Sequence, residues 1–115
     1  MLTCIQVPNE TYKAAAHLVV SGRKRQYPSV RIILAHMGGT LPSMAARTAV
    51  LANYMGCEMS VDDILKDFRT FWFDTALAAC GPALQQLESF LKGGKGSSEE
   101  GVGKLLFGSD FPGEI

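Results

Sequence analysis

Arg31-Ile32-Ile33-Leu34-Ala35-His36-Met37-Gly38-Gly39-Thr40-Leu41-Pro42 is the stretch that decides how this chain folds. Ile32 to Ala35 form a short, unbroken apolar run, the pattern of a parallel strand covered on both faces. The run stops at His36, and two glycines follow shortly after. A histidine at the carboxyl end of a buried parallel strand stands where α/β folds place their chemistry. Gly38 and Gly39 permit a sharp turn and the close approach of a ligand. The pattern predicts a strand from Val30 to Ala35 and then a helix from Leu41 to Asn53 or Tyr54, with Pro42 in its first turn. Met44, Thr48, Leu51 and Met55 are spaced for the apolar face of that helix, alanines flank them, and Gly56 fits its stop.

Upstream, Asn9 after Pro8 reads as the cap of an earlier helix. Tyr12, Ala15, Ala16, Val19 and Val20 give it one apolar face. Lys13, His17, Ser21 and Lys24 fall on another, so His17 reads as a solvated surface histidine. Arg23-Lys24-Arg25 reads as cations near a helix C-terminus, favoured there by the dipole, in preference to a nuclear localisation patch. Pro28 ends the helix.

Downstream, Ser60 is the cap of a short helix reaching Phe68, with Asp63 in the acidic third position. Phe71-Trp72-Phe73-Asp74-Thr75 is a second strand, its aromatic residues destined for the core. Asp74 at its end has two readings, bonding loop backbone or lining a substrate pocket. Pro82 to Leu91 is a helix with Leu84, Leu87 and Leu91 on one side. Lys92 to Gly101 reads as a flexible surface loop; it lacks the spacing and the preceding strand of a phosphate loop. Leu105-Leu106-Phe107-Gly108-Ser109-Asp110-Phe111-Pro112 is a third strand with its loop, and again a carboxylate, Asp110, follows the apolar run. Met44, Met55 and Met59 are core filler on this reading.

Helices and strands thus alternate, which makes a parallel sheet. His36, Asp74 and Asp110 then meet at one edge of it, and this convergence is the main functional signal in the pattern. Bulk properties bound the rest. The 115 residues suffice for one small domain, and 47% apolar with 19% charged residues is an ordinary globular composition. Eleven basic and eleven acidic residues cancel, so there is no electrostatic case for nucleic acid or an acidic membrane surface. No apolar run approaches the ~20 residues of a membrane span, and the first residues lack the features of a signal peptide. Cys4, Cys57 and Cys80 are widely spaced with no Cys-x-x-Cys pair, as expected of a reduced, cytoplasmic protein.

Three ordered motifs carry a family resemblance. Ile33-Leu34-Ala35-His36-Met37-Gly38-Gly39-Thr40-Leu41-Pro42, Phe73-Asp74-Thr75-Ala76 and Leu106-Phe107-Gly108-Ser109-Asp110-Phe111-Pro112 resemble the last third of the amidohydrolase-related metal-dependent decarboxylases. That family includes aminocarboxymuconate-semialdehyde and γ-resorcylate decarboxylases. His-x-Gly-Gly-Thr-Leu-Pro and Phe-Asp-Thr-Ala-Leu are closest to its fungal 6-methylsalicylate group. The resemblance implies an α/β fold, the C-terminal portion (about strands six to eight) of a (β/α)8 TIM-type barrel. It implies that His36 is the sixth-strand histidine beside the metal-bound water or substrate. Asp110 is by the same token the eighth-strand aspartate that approaches the metal and gives a proton to the ring carbon. Asp74 falls on the seventh strand, where the resemblance assigns no firm role and substrate contact is the weaker expectation.

The implied activity is metal-dependent, nonoxidative decarboxylation of a small aromatic acid such as 6-methylsalicylate in secondary metabolism, with zinc, or else manganese, as cofactor. The implied assembly is a homo-oligomer. The family's first-strand His-x-His or Glu-x-His motif and its fifth-strand metal histidine have no counterpart here. Residues 1–115 therefore read as a partial domain truncated at both ends, with His36 and Asp110 as its share of the metal surroundings and the other ligands elsewhere. The alternatives are a hydrolase of the same superfamily and a non-catalytic barrel remnant.

Overall fold

The computed structural model of the chain describes residues 3–93 and 103–111. In chain order it has α1 (Thr3–Val20), α2 (Arg23–Gln26), β1 (Ile33–Leu34), a 3-10 turn (His36–Gly38), α3 (Leu41–Tyr54), α4 (Val61–Phe68), β2 (Trp72–Asp74), α5 (Gly81–Lys92) and β3 (Leu105–Leu106). The strands form one parallel sheet in the order β1-β2-β3. Ile33 pairs with Trp72 and Leu34 with Phe73; Phe73 pairs with Leu105 and Asp74 with Leu106. The protein is thus a small α/β domain. Most of the predicted loop after Lys92, and Pro112, lie outside the described residues.

Several elements form for the reasons read in the sequence. α3 runs from Leu41 with Pro42 in its first turn and ends before Gly56, whose φ of +97° suits a residue without Cβ. The Ser60 hydroxyl accepts the Asp63 N–H at 3.1 Å and caps α4. Leu87 and Leu91 of α5 are buried, and Gly93 closes that helix in the left-handed region.

The core gathers Ala15 and Val19 of α1, Leu41, Ala45 and Ala49 of α3, and Ile64 and Phe68 of α4 around Leu34 and Phe73 of the sheet and Phe71 just ahead of β2. The Phe73 ring meets Phe90 edge-on, with centroids 6.4 Å apart.

Four expectations need correction. The strand β1 is not covered on both faces: Leu34 is buried, but Ile33 is 56% exposed, because the helices pack on one side of the sheet only. The first helix does not begin at Asn9. It begins at Thr3 and carries Pro8 inside it, and Asn9 uses its Oδ1 to accept a bond from the Thr40 hydroxyl. The buried stripe of α3 is Leu41, Ala45 and Ala49, while Leu51 and Met55 are exposed. Small side chains let α1 and α4 approach closely, and the larger residues are turned away. Met55 is therefore not core filler, whereas Met59 packs at the core's margin.

The basic triplet, read as cations near a helix C-terminus, forms a short helix of its own and makes specific contacts. Gly22, with φ of +80°, breaks the helix and redirects the chain. Lys24 becomes buried with its ammonium 5.5 Å from the centre of the Phe71 ring. Arg25 forks onto Asp67 through Nε and Nη2, each bond 3.1 Å long, and reaches Asp63 at 3.4 Å. The Asp67 bond first, with Asp63 adding to it, raises the Arg25 guanidinium above its ordinary value. The Ser60 hydroxyl and then Arg25 hold the Asp63 carboxyl below the usual aspartate range.

Two outcomes follow from this packing. Phe73→Ala removes a fully buried ring and should cost about 3–5 kcal/mol in urea unfolding. Asp63 has a lowered pKa in the fold, so its contribution is present above the unfolded value, about pH 4, and is lost as pH falls through the folded value. Asp63→Asn should flatten the fall in urea midpoint below about pH 4; an acid limb identical to wild type would refute this linkage.

Candidate active site

The chemistry-bearing residues sit where strands give way to loops. After β1 the backbone leaves extended geometry at once. His36 and Met37 adopt φ of +53° and +59°, followed by Gly38 at +79° and Gly39 at +61°. Glycine does this freely, whereas other residues in this region cost of order 1–3 kcal/mol each. Gly38 and Gly39 are required for a second reason. A Cβ on Gly38 would stand 2.8 Å from Phe73 Cε1, and one on Gly39 would stand 2.1 Å from the Pro8 carbonyl oxygen.

The loop after β2 ties its two neighbours together. Asp74 Oδ1 accepts the backbone N–H of His36 at 2.8 Å and that of Ala76 at 3.2 Å. His36 Nδ1 lies 2.7 Å from the Ala76 carbonyl oxygen. On the other side, Thr75 Oγ1 accepts the Gly108 N–H at 3.4 Å, linking the loop after β3. Ser109 Oγ then accepts the Phe111 N–H and folds that loop around Asp110.

These contacts border a cavity of about 540 Å³, within the usual range for small-molecule sites. His36, Thr40 and Asp110 supply its polar groups, and Val7, Pro8, Leu77 and Ala78 supply apolar wall. The expected meeting of His36 and Asp110 therefore occurs at one cavity. Asp74 stands at the same sheet edge, yet it bonds loop backbone and is not among the lining residues. His17 is exposed, as expected.

Among the described residues, the non-glycine positions with positive φ are His36, Met37, Leu77 and Asp110. Three of these line the cavity, and the fourth adjoins His36. Histidine and aspartate visit this region more readily than most residues, but leucine and methionine do not. Strain gathered at one cleft is a mark of function.

An imidazole and a carboxylate are suitable donors for zinc or manganese. The chain brings these two to the cavity, and among the described residues no group of three or more His, Cys, Asp or Glu comes together. His36 and Asp110 are two side chains of the donor types that such ions take, short of a full ligand set.

Curated relatives match nearly the whole chain. It is 38% identical over 107 residues to the 6-methylsalicylic acid decarboxylase of Penicillium expansum, covering 91% of this chain and 30% of that protein. The chain is a homologue of part of the 6-methylsalicylic acid decarboxylases. It is 40% identical over 110 residues to the Aspergillus aculeatus enzyme of that name, covering 91% of this chain and 31% of the relative. A decarboxylase of Aspergillus niger, yanB, is 38% identical over 112 residues, covering 94% and 28%. The chain therefore spans about three-tenths of the length of these decarboxylases. No family model matches it.

The wall of the cavity was not read from the sequence. Leu77 follows Asp74-Thr75-Ala76 and carries no polar group, so nothing in its chemistry flags it. Cys4, Val7 and Pro8 reach the site only because α1 extends ahead of Asn9.

The close contact of Gly39 with Pro8 should hold that wall in place. Gly22 has a similar φ but open space around it, so Gly22→Ala should cost about 1–2 kcal/mol from backbone strain alone. Gly39→Ala should cost more in the same thermal unfolding experiment, because α1 has to move as well; equal losses would mean that the contact is inconsequential.

Proposed function

We propose that this chain supplies about strands six to eight, with the intervening helices, of a (β/α)8 barrel enzyme that removes carbon dioxide from a small aromatic carboxylic acid, 6-methylsalicylate or a near relative. The observation that carries this reading is the cavity at the carboxyl ends of the strands, where His36 and Asp110 meet with strained backbone. The relatives, named as 6-methylsalicylic acid decarboxylases, supply the reaction class. Sequential strand order supports the barrel, as does a sheet with its core on one side and Ile33 open on the other. In a barrel that second face is filled by side chains from the remaining strands.

The reaction requires a proton on the ring carbon before the carboxyl group leaves. Asp110 donates that proton on this reading, and the electrons of the breaking carbon–carbon bond return to the ring as carbon dioxide departs. His36 accepts a hydrogen bond from the substrate's ring hydroxyl through Nε2 and orients the ring for cleavage. Val7, Pro8, Leu77 and Ala78 offer apolar surface to the ring. Asp110, with His36 beside it, would help hold a divalent metal, zinc or manganese, which when bound supplies a Lewis acid for the substrate's oxygens.

In a full-length protein carrying these residues, Asp110→Asn should reduce decarboxylation of 6-methylsalicylate by about 10²–10⁴-fold, the usual contribution of a positioned acid. The assay follows carbon dioxide release at saturating substrate and added zinc or manganese. Turnover close to wild type would sink the proton-donor assignment.

A further inference from the structure

The Asp74 carboxylate does not line the cavity, yet it contacts the loop that does. Its Oδ1 accepts two backbone N–H groups, from His36 at 2.8 Å and from Ala76 at 3.2 Å. The second of those residues also receives the His36 ring, with Nδ1 2.7 Å from the Ala76 carbonyl oxygen. A carbonyl oxygen can only accept, so Nδ1 must carry the proton in that bond. In a neutral imidazole this leaves Nε2 as the nitrogen with the lone pair. Three bonds therefore close a loop through Asp74 Oδ1, the backbone at His36, the His36 ring and Ala76.

We infer that Asp74 is a positioning residue, a clamp that locks His36 in the Nδ1–H tautomer and keeps Nε2 as its basic atom. The bond to the His36 backbone holds that residue at φ +53°, and the bond to Ala76 aims the carbonyl that takes the ring proton. A neutral imidazole in water mixes both tautomers. One fixed at the cavity wall offers a single face of chemistry, a lone pair to a substrate proton or to a metal. The tautomer lock stands on hydrogen bonds alone; its catalytic meaning rests on the reading of His36 given above.

The chain contains two histidines, and the other, His17, is exposed and serves as an internal control. Long-range proton–nitrogen NMR of the uniformly ¹⁵N-labelled 115-residue chain, at about pH 8.5 where a free imidazole is neutral, reads the tautomer directly. His36→Gln assigns the signals. The expected result is a wide split for His36, with Nδ1 shifted like a protonated nitrogen and Nε2 like a bare one, and averaged values for His17. Asp74→Ala should collapse the His36 split towards the His17 pattern. Asp74→Asn, which keeps an acceptor oxygen of the same shape, should retain most of it.

A protonated Nε2 in the wild type would overturn the proposal, and that result needs no variant to fold. So would an unchanged His36 split in Asp74→Ala with native circular dichroism. Decarboxylase assays on the same substitutions in a full-length protein separate the two readings. Activity that survives His36→Gln removes the catalytic role and leaves the lock intact. A mixed tautomer in an active enzyme removes the lock alone.

Discussion

The carboxylate of Asp74 joins two loops that the sheet itself cannot hold. β1 and β3 have two residues each and β2 has three, so the ladder ends almost as soon as it begins. Beyond it, every backbone N–H and carbonyl needs another partner if it is to stay in place. Asp74 Oδ1 takes two such N–H groups, and the loop it organises receives the His36 ring on one side and Gly108 on the other. One ionised side chain thereby fixes the relative position of the loops after β1 and β2, and Thr75 carries the connection on to β3. Hydrogen bonds to a charged acceptor contribute about 1.5–3 kcal/mol, comparable to the strain at His36 that they offset.

The same turn is locked from below by packing. Gly38 lies against the Phe73 ring, which is fully buried, and Gly39 lies against the backbone of Pro8. Neither position has room for a Cβ, and neither has a backbone angle that other residues favour. Core and cavity are therefore mechanically continuous: the aromatic ring that fills the centre is also the floor of the turn that carries His36. Pro8 serves the opposite wall. A proline inside a helix forgoes a hydrogen bond at a cost of roughly 3 kcal/mol, and here its carbonyl meets the glycine turn while its ring borders the cavity.

Local signals in the sequence were sufficient for the elements whose causes are local. The Ser60 cap, the Gly56 stop and the span of α3 depend on residues within one or two turns, and they lie where the pattern puts them. The meeting of His36 and Asp110 followed from topology, since parallel strands bring their carboxyl ends together. What stayed hidden depends on distant partners. Nothing in Arg23-Lys24-Arg25 announces that one lysine stacks on Phe71 or that Arg25 reaches Asp67, forty-two residues on. α3 offered two faces of similar apolarity, and the choice of the alanine stripe was made by the closeness of α1 and α4. Asp74 kept two readings because a carboxylate at a strand end has the same local sequence whether it faces substrate or backbone.

Backbone strain explains how His36 comes to the cavity at all. Side chains alternate along a strand, and in β1 the exposed Ile33 is followed by the buried Leu34 and then the exposed Ala35. Continued alternation would send His36 back to the helix-covered face with Leu34, where an imidazole would need buried partners. The switch to positive φ at His36 breaks that register and delivers the ring, half-buried, to the cavity wall. The departure from extended geometry is therefore what turns a core position into a site position, and it persists only because the Asp74 carboxylate and the two glycines make the alternative conformation the better satisfied one.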